Sequence, residues 1–124
     1  MKKYRVPIFT EEYAVWVYIG TVKECVKEGA KYTTYSPTTL AREFDGRRGL
    51  AYNLFTSVNK NPLVLVDGDL PVPTAIATLT HEAIHAIDFT MEHLGIDTKE
   101  TEFRAHAVGA IMRTVLKDIL KKSK

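Results

Sequence analysis

A single cysteine, Cys25, in 124 residues excludes an internal disulfide, so nothing in the chain requires an oxidising compartment. Its neighbours Val22 and Val26 place it on an expected helix face as a small apolar group. No apolar run approaches the roughly 20 residues of a membrane span. The basic start, Met1-Lys2-Lys3-Tyr4-Arg5, runs into Val6-Pro7-Ile8-Phe9-Thr10-Glu11-Glu12, with acids where a signal peptide needs an unbroken apolar core. A cytoplasmic protein is the resulting expectation. Charge of one sign is also lacking: 17 basic against 15 acidic residues leave +2, too little to imply a nucleic-acid partner. The lysines near Met1 and from Lys117 to Lys124 read as solvated termini. There is no internal repeat and no low-complexity segment. With 45% hydrophobic residues the chain has enough apolar surface for one folded domain over residues 1–124. Histidine is scarce as well, and all four lie between 81 and 106.

The pattern of apolar residues and turn formers predicts an α+β chain. Thr10 as N-cap, Tyr13 at N3 and Gly29 as C-terminal glycine predict a first helix, with Ala14, Val15, Val17, Tyr18, Val22, Cys25 and Val26 on its buried stripe. Strands follow: Tyr32 to Tyr35, Thr38 to Phe44 after Pro37, and Leu50 to Phe55 after the turn Asp45-Gly46-Arg47-Arg48-Gly49. The turn Asn59-Lys60-Asn61-Pro62 leads into Leu63-Val64-Leu65-Val66, four apolar residues that imply a strand covered on both faces. Pro71-Val72-Pro73 opens a helix that should stop near Gly95. Asp97 and Glu100 fit a capping box starting a last helix to about Leu120. The expected order is an N-terminal helix, a small mostly antiparallel sheet, then two helices.

The stretch that names a chemistry is His81-Glu82-Ala83-Ile84-His85, an H-E-x-x-H box. On a helix the two histidines stand about 40° apart and one turn from each other, so both imidazoles can reach one metal ion. Glu82 lies roughly 60° from His85 around the axis, where its carboxylate can meet an attacking water without taking a coordination position. An apolar, helix-compatible run on both sides of the box, from Thr74 to Thr80 and from Ala86 to Phe89, places the histidines toward an interior.

A catalytic zinc takes three protein ligands. Asp88 shares the histidine face but sits nearly two turns from His81, which suits an acceptor for an imidazole N–H better than a ligand. Glu100 has its capping task, and His93 is expected to be exposed near a helix end. Glu102 lies on a face with Ala105, His106, Gly109 and Met112, and the small residues at 105 and 109 suit close approach of two helices. Glu102 is therefore the expected third ligand. His106, one turn on, is a candidate for a catalytic role, for a replacement ligand, or for a hydrogen bond to a ligand.

With these residues the chain resembles the gluzincins, and among them the small phage- and mobile-element-associated zincin-like metallopeptidases. In those the box often extends to H-E-x-x-H-A-x-D and is followed by E-x-x-A; here the stretches read His81 to Asp88 and Glu102-Phe103-Arg104-Ala105. The resemblance covers the second half of the chain by motif and the first half only by element order. It implies a minimal zincin-like fold, one Zn2+ per chain on His81, His85 and Glu102, and Glu82 as general base in peptide-bond hydrolysis. It implies too that the strand Leu63 to Val66 forms the lip of the cleft and pairs with an extended peptide. His106, Arg104 and Tyr52 are the candidate oxyanion donors. The implied partner is a peptide or protein substrate, with room for a single dedicated partner protein given the short chain. The competing class is a metal-stabilised binding module whose site is closed by a fourth ligand.

Overall fold

A computed structural model describes residues 1–8, 10–55 and 61–121. The element order is β1 (Lys2–Ile8), β2 (Thr10–Gly20), α1 (Val22–Gly29), α2 (Pro37–Arg47), β3 (Gly49–Tyr52), β4 (Leu63–Asp67), α3 (Val72–Leu94) and α4 (Thr101–Lys121). The strands form one mixed sheet in the order β1-β2-β4-β3, with β2 parallel to β4 and the outer pairs antiparallel. On one face Val15, Val17, Ile19, Val64 and Val66 pack on Leu79, Ala83, Ile87, Met91, Ile111 and Val115 of α3 and α4. On the other, Tyr18, Leu63 and Leu65 pack with Cys25 of α1 and Phe44 of α2. The fold is α+β, and the sheet lies between two helical layers.

The expected N-terminal helix is corrected to strand β2 followed by the shorter α1. Residues 14–19 bury side chains on both faces of the sheet, and a strand covered on both faces has the same unbroken apolar content as a buried helix. Thr21 then starts α1 through a capping box, its hydroxyl accepting from the Glu24 N–H at 3.1 Å while Glu24 accepts from the Thr21 N–H at 2.9 Å. The expected strand at Thr38–Phe44 is instead α2. Ser36 caps it by accepting from the Thr39 N–H, Pro37 occupies the first turn, and Leu40 and Phe44 fall one turn apart on its buried face. Residues 32–35 form no strand.

Both strands expected after residue 49 are present, β3 ending at Tyr52 rather than Phe55. All five residues of β4 are buried, as its apolar run requires. Its two edges are taken by β2 and β3, so it cannot be the lip that pairs with a peptide; β3 holds the edge. Asn59 and Lys60 of the expected turn lie outside the described residues. Helix α3 stops at Gly95, whose left-handed φ of 73° allows the Gly95 and Ile96 amides to return to the Glu92 and Met91 carbonyls. Helix α4 starts later than expected, at Thr101: Asp97 accepts from the Lys99 N–H and makes a turn, not a capping box. No helix among the described residues is long and apolar enough to cross a membrane.

Candidate metal centre

Helix α3 divides its surface between core and cleft by the helical repeat. Leu79, Ala83, Ala86, Ile87 and Met91 go into the core, while Ala77, His81, His85 and Phe89, each four residues from the last, form a stripe beside β3. The expectation that the histidines face the interior is therefore corrected: both are exposed to an open cleft of about 580 Å³, and Glu82 is the member of the box that is buried. Their Nε2 atoms are 3.2 Å apart. Two imidazole nitrogens about 2.0 Å from one tetrahedral ion would be about 3.3 Å apart, so the pair fits two adjacent ligand positions. The Glu82 Oε1 atom is 3.9 Å from the His81 Nε2. Burial pushes the Glu82 carboxyl up from its ordinary value, opposed by the charges of His81, His85 and Arg47.

The cleft lies between this stripe and β3, with Leu50 and Ala51 on one wall and Arg47 at the rim. Gly49 makes the approach possible. A Cβ there would stand 2.7 Å from the Thr78 Cγ2, 3.1 Å from the Glu82 Cγ and 3.2 Å from the Leu65 carbonyl. The Asp67 N–H donates to the Arg48 carbonyl at 2.9 Å, so residue 48 faces β4. By the alternation of a strand, the N–H and C=O groups of Gly49 and Ala51 face away from β4, along an edge that no other strand among the described residues pairs with, beside the cleft.

Among the described residues no third histidine, cysteine, aspartate or glutamate joins His81 and His85 in a group able to hold a metal. Glu102 is exposed in the first turn of α4, and His106 is exposed one turn further on. The small residues at 105 and 109 do not mediate the α3 contact as expected: Ala105 is exposed, and a Cβ at Gly109 would meet only Arg113 of its own helix within 4 Å. The buried face of α4 is Ala107, Ile111, Val115 and Ile119.

Asp88 serves Arg104 and not an imidazole, its Oδ1 accepting from the guanidinium at 2.8 and 3.2 Å across the α3–α4 contact. Tyr52 faces the opposite layer, with its hydroxyl buried against Gly29. Neither Tyr52, Arg104 nor His106 lines the cleft. His93, exposed as expected, stacks on Phe55 at 4.0 Å between ring centres.

Sequence reasoning missed Arg47, Gly49, Thr78 and Phe89. The four-residue spacing from Ala77 to Phe89 was a readable signal for the helix side. For Arg47 and Gly49 no comparable signal existed, because residues 45–49 read as a turn. The chain matches no family model, no curated protein and no solved structure with which it was compared.

Proposed function

We propose that this chain is a zinc-dependent metallopeptidase with a minimal zincin-like fold. The observation that carries the reading is the pair of imidazole nitrogens 3.2 Å apart on α3, with the buried Glu82 carboxylate beside them in an open cleft. His81 and His85 would hold the ion, with Glu102 of the next helix as the third ligand. Zinc bound there supplies Lewis acidity toward water and a peptide carbonyl. Glu82 takes the proton of the attacking water and returns it to the leaving amine, a role suited to a carboxylate that burial makes more basic. The substrate backbone is held by Gly49 and Ala51 of β3, whose outward N–H and C=O groups match an added strand.

The test is metal content by plasma mass spectrometry beside hydrolysis of unstructured protein substrates. Near one zinc per chain is expected in the parent and in Glu82→Gln, with hydrolysis lost only in the variant. Glu102→Ala should lose zinc and Glu100→Ala should keep it. Turnover in a pure Glu82→Gln protein, or no zinc in the folded, supplemented parent, overturns the reading.

A second reading differs in what the metal does, and the described residues, which form no group of three or more donors, favour neither. In that reading the metal stabilises a module that binds a partner protein without catalysis, and further side chains close the site. A hydroxamate inhibitor separates the two, since it binds an open metal site and not a closed one.

A further inference from the structure

The rim of the cleft carries a charge that the proposed chemistry does not use. Helix α2 ends at Arg48, whose left-handed φ of 61° turns the chain into β3. That reversal separates two consecutive arginines. The Arg48 guanidinium meets the buried Asp67 carboxylate at 2.9 Å and is neutralised there. Arg47 is the one arginine or lysine among the described residues that lines the cleft, together with His81 and Glu82, and it also borders a second groove on α2 with Arg42, Glu43 and Gly46. Its present partner holds it weakly. The Glu43 Oε2 is 3.6 Å from the Arg47 Nε, and the side chains are 38% and 65% exposed, so the ion pair is easily exchanged for another carboxylate.

The opposite end of the cleft has another character. Phe89 closes the α3 stripe there, and among the described residues the ionisable side chains that line the cleft are Arg47, His81, Glu82 and His85. Gly49 stands between Thr78 and Glu82, and the chain beyond β3 reaches Phe55 on His93, so β3 runs along α3 from the Arg47 end to the aromatic end. An extended peptide on the β3 edge therefore passes both.

We infer that Arg47 receives a carboxylate of the bound peptide, making this cleft selective for substrates with an acidic side chain on the Arg47 side of the attacked bond. The inference rests on the peptidase reading for its substrate class. An acidic side chain is favoured over a chain terminus because the cleft continues past Arg47 into the α2 groove lined by Thr39, Arg42, Glu43 and Gly46, so the bound chain can run on beyond Arg47.

The experiment measures fluorescence anisotropy of labelled octapeptides with Glu, Gln or Lys fixed at each position in turn, with the C-terminus free or amidated. The protein is zinc-loaded Glu82→Gln, and cleavage by the parent is followed in parallel. Glu is expected to bind about fivefold tighter than Gln at one position, near the upper end for an exposed ion pair. The preference should be independent of the C-terminus, lost in 0.5 M salt, abolished by Arg47→Ala and reversed toward Lys by Arg47→Glu. Equal binding of Glu and Gln peptides overturns the inference, as does a preference that follows only the free C-terminus or that survives Arg47→Ala. An equal loss of turnover on all peptides in Arg47→Ala, without a change in binding, also overturns it by assigning Arg47 to the reaction. Arg47-dependent binding with no cleavage by the parent would uphold the recognition and reject the peptidase reading.

Discussion

Replacing Gly49 by alanine tests whether the site depends on β3 pressing against α3. The added Cβ would meet the Thr78 methyl at 2.7 Å, closer than carbon atoms approach, and the Glu82 Cγ at 3.1 Å. Forcing one carbon into such contact costs about 1–3 kcal/mol, against a gain of about 0.4–1 kcal/mol from a less flexible unfolded chain. The net loss should be up to about 2.6 kcal/mol, seen in urea as a lower midpoint with an unchanged slope. Thr78→Ser removes the closest methyl and leaves the helix intact. In that background Gly49→Ala should cost at least about 0.5 kcal/mol less, a coupling that a double-mutant cycle measures directly. Because the strain also falls on the Glu82 side chain, hydrolysis should drop about tenfold or more while zinc content is kept. A Gly49→Ala protein with the parent midpoint and no coupling to Thr78 would refute the claim that this contact positions the general base.

Asp67 is buried and accepts from Arg48 and from the Asp69 N–H, so Arg48→Met strands its carboxylate; with Arg48 43% exposed, the expected loss in chemical denaturation is about 2 kcal/mol, below that of a fully buried pair, and a loss under about 0.5 kcal/mol would contradict it. Burial, and after it the Asp67 charge, push the Cys25 thiol up to about 12, so it should resist a disulfide reagent at pH 8 in the native protein and react at once in denaturant; fast native labelling would refute this. Because the folded value is the higher one, the thiol's contribution to stability is complete below the ordinary value near 9 and is lost as the pH rises toward 12. Asp88→Asn weakens a half-exposed ion pair and should cost under about 1 kcal/mol in stability, yet it frees the first turn of α4 and should weaken zinc binding in a competition with a chromophoric chelator; unchanged zinc affinity would show that the pair does not position Glu102.

The second half of the chain was legible because its signals are local. The opening of α3 at Pro71-Val72-Pro73, its stop at Gly95 and the unbroken apolar run of β4 each follow from a few neighbouring residues. The first half misled for a physical reason. In β2 both faces are covered, so Val15, Val17 and Ile19 contact one helical layer while Tyr18 contacts the other, and the period of two disappears from the sequence. In α2 the misleading feature was composition: Pro37-Thr38-Thr39 favours strand by residue type, but Ser36 before a proline is also a helix start, and the burial of Leu40 and Phe44 decides between them. That decision rests on packing against α1 and β3, which a local reading does not contain.

The site divides along the same line. His81, Glu82 and His85 stand on one helix, so their mutual geometry follows from the helical repeat alone, and the structure brings the two imidazoles to 3.2 Å and the Glu82 carboxyl to 3.9 Å from His81. Arg47, Gly49 and Glu102 belong to other elements, and their places depend on how the elements pack. Arg47 reaches the cleft only because the left-handed Arg48 turns α2 into β3, and the free edge lies beside the box only because a glycine at 49 lets the strand approach Thr78 and Glu82. Glu102 is the same kind of residue: its distance from His85 is set by where α4 begins and how the Asp88–Arg104 pair ties α4 to α3. A sequence motif on one helix thus specifies how the two imidazoles and the Glu82 carboxyl stand to one another, while the placing of Glu102, the β3 edge and Arg47 is a property of the packed layers.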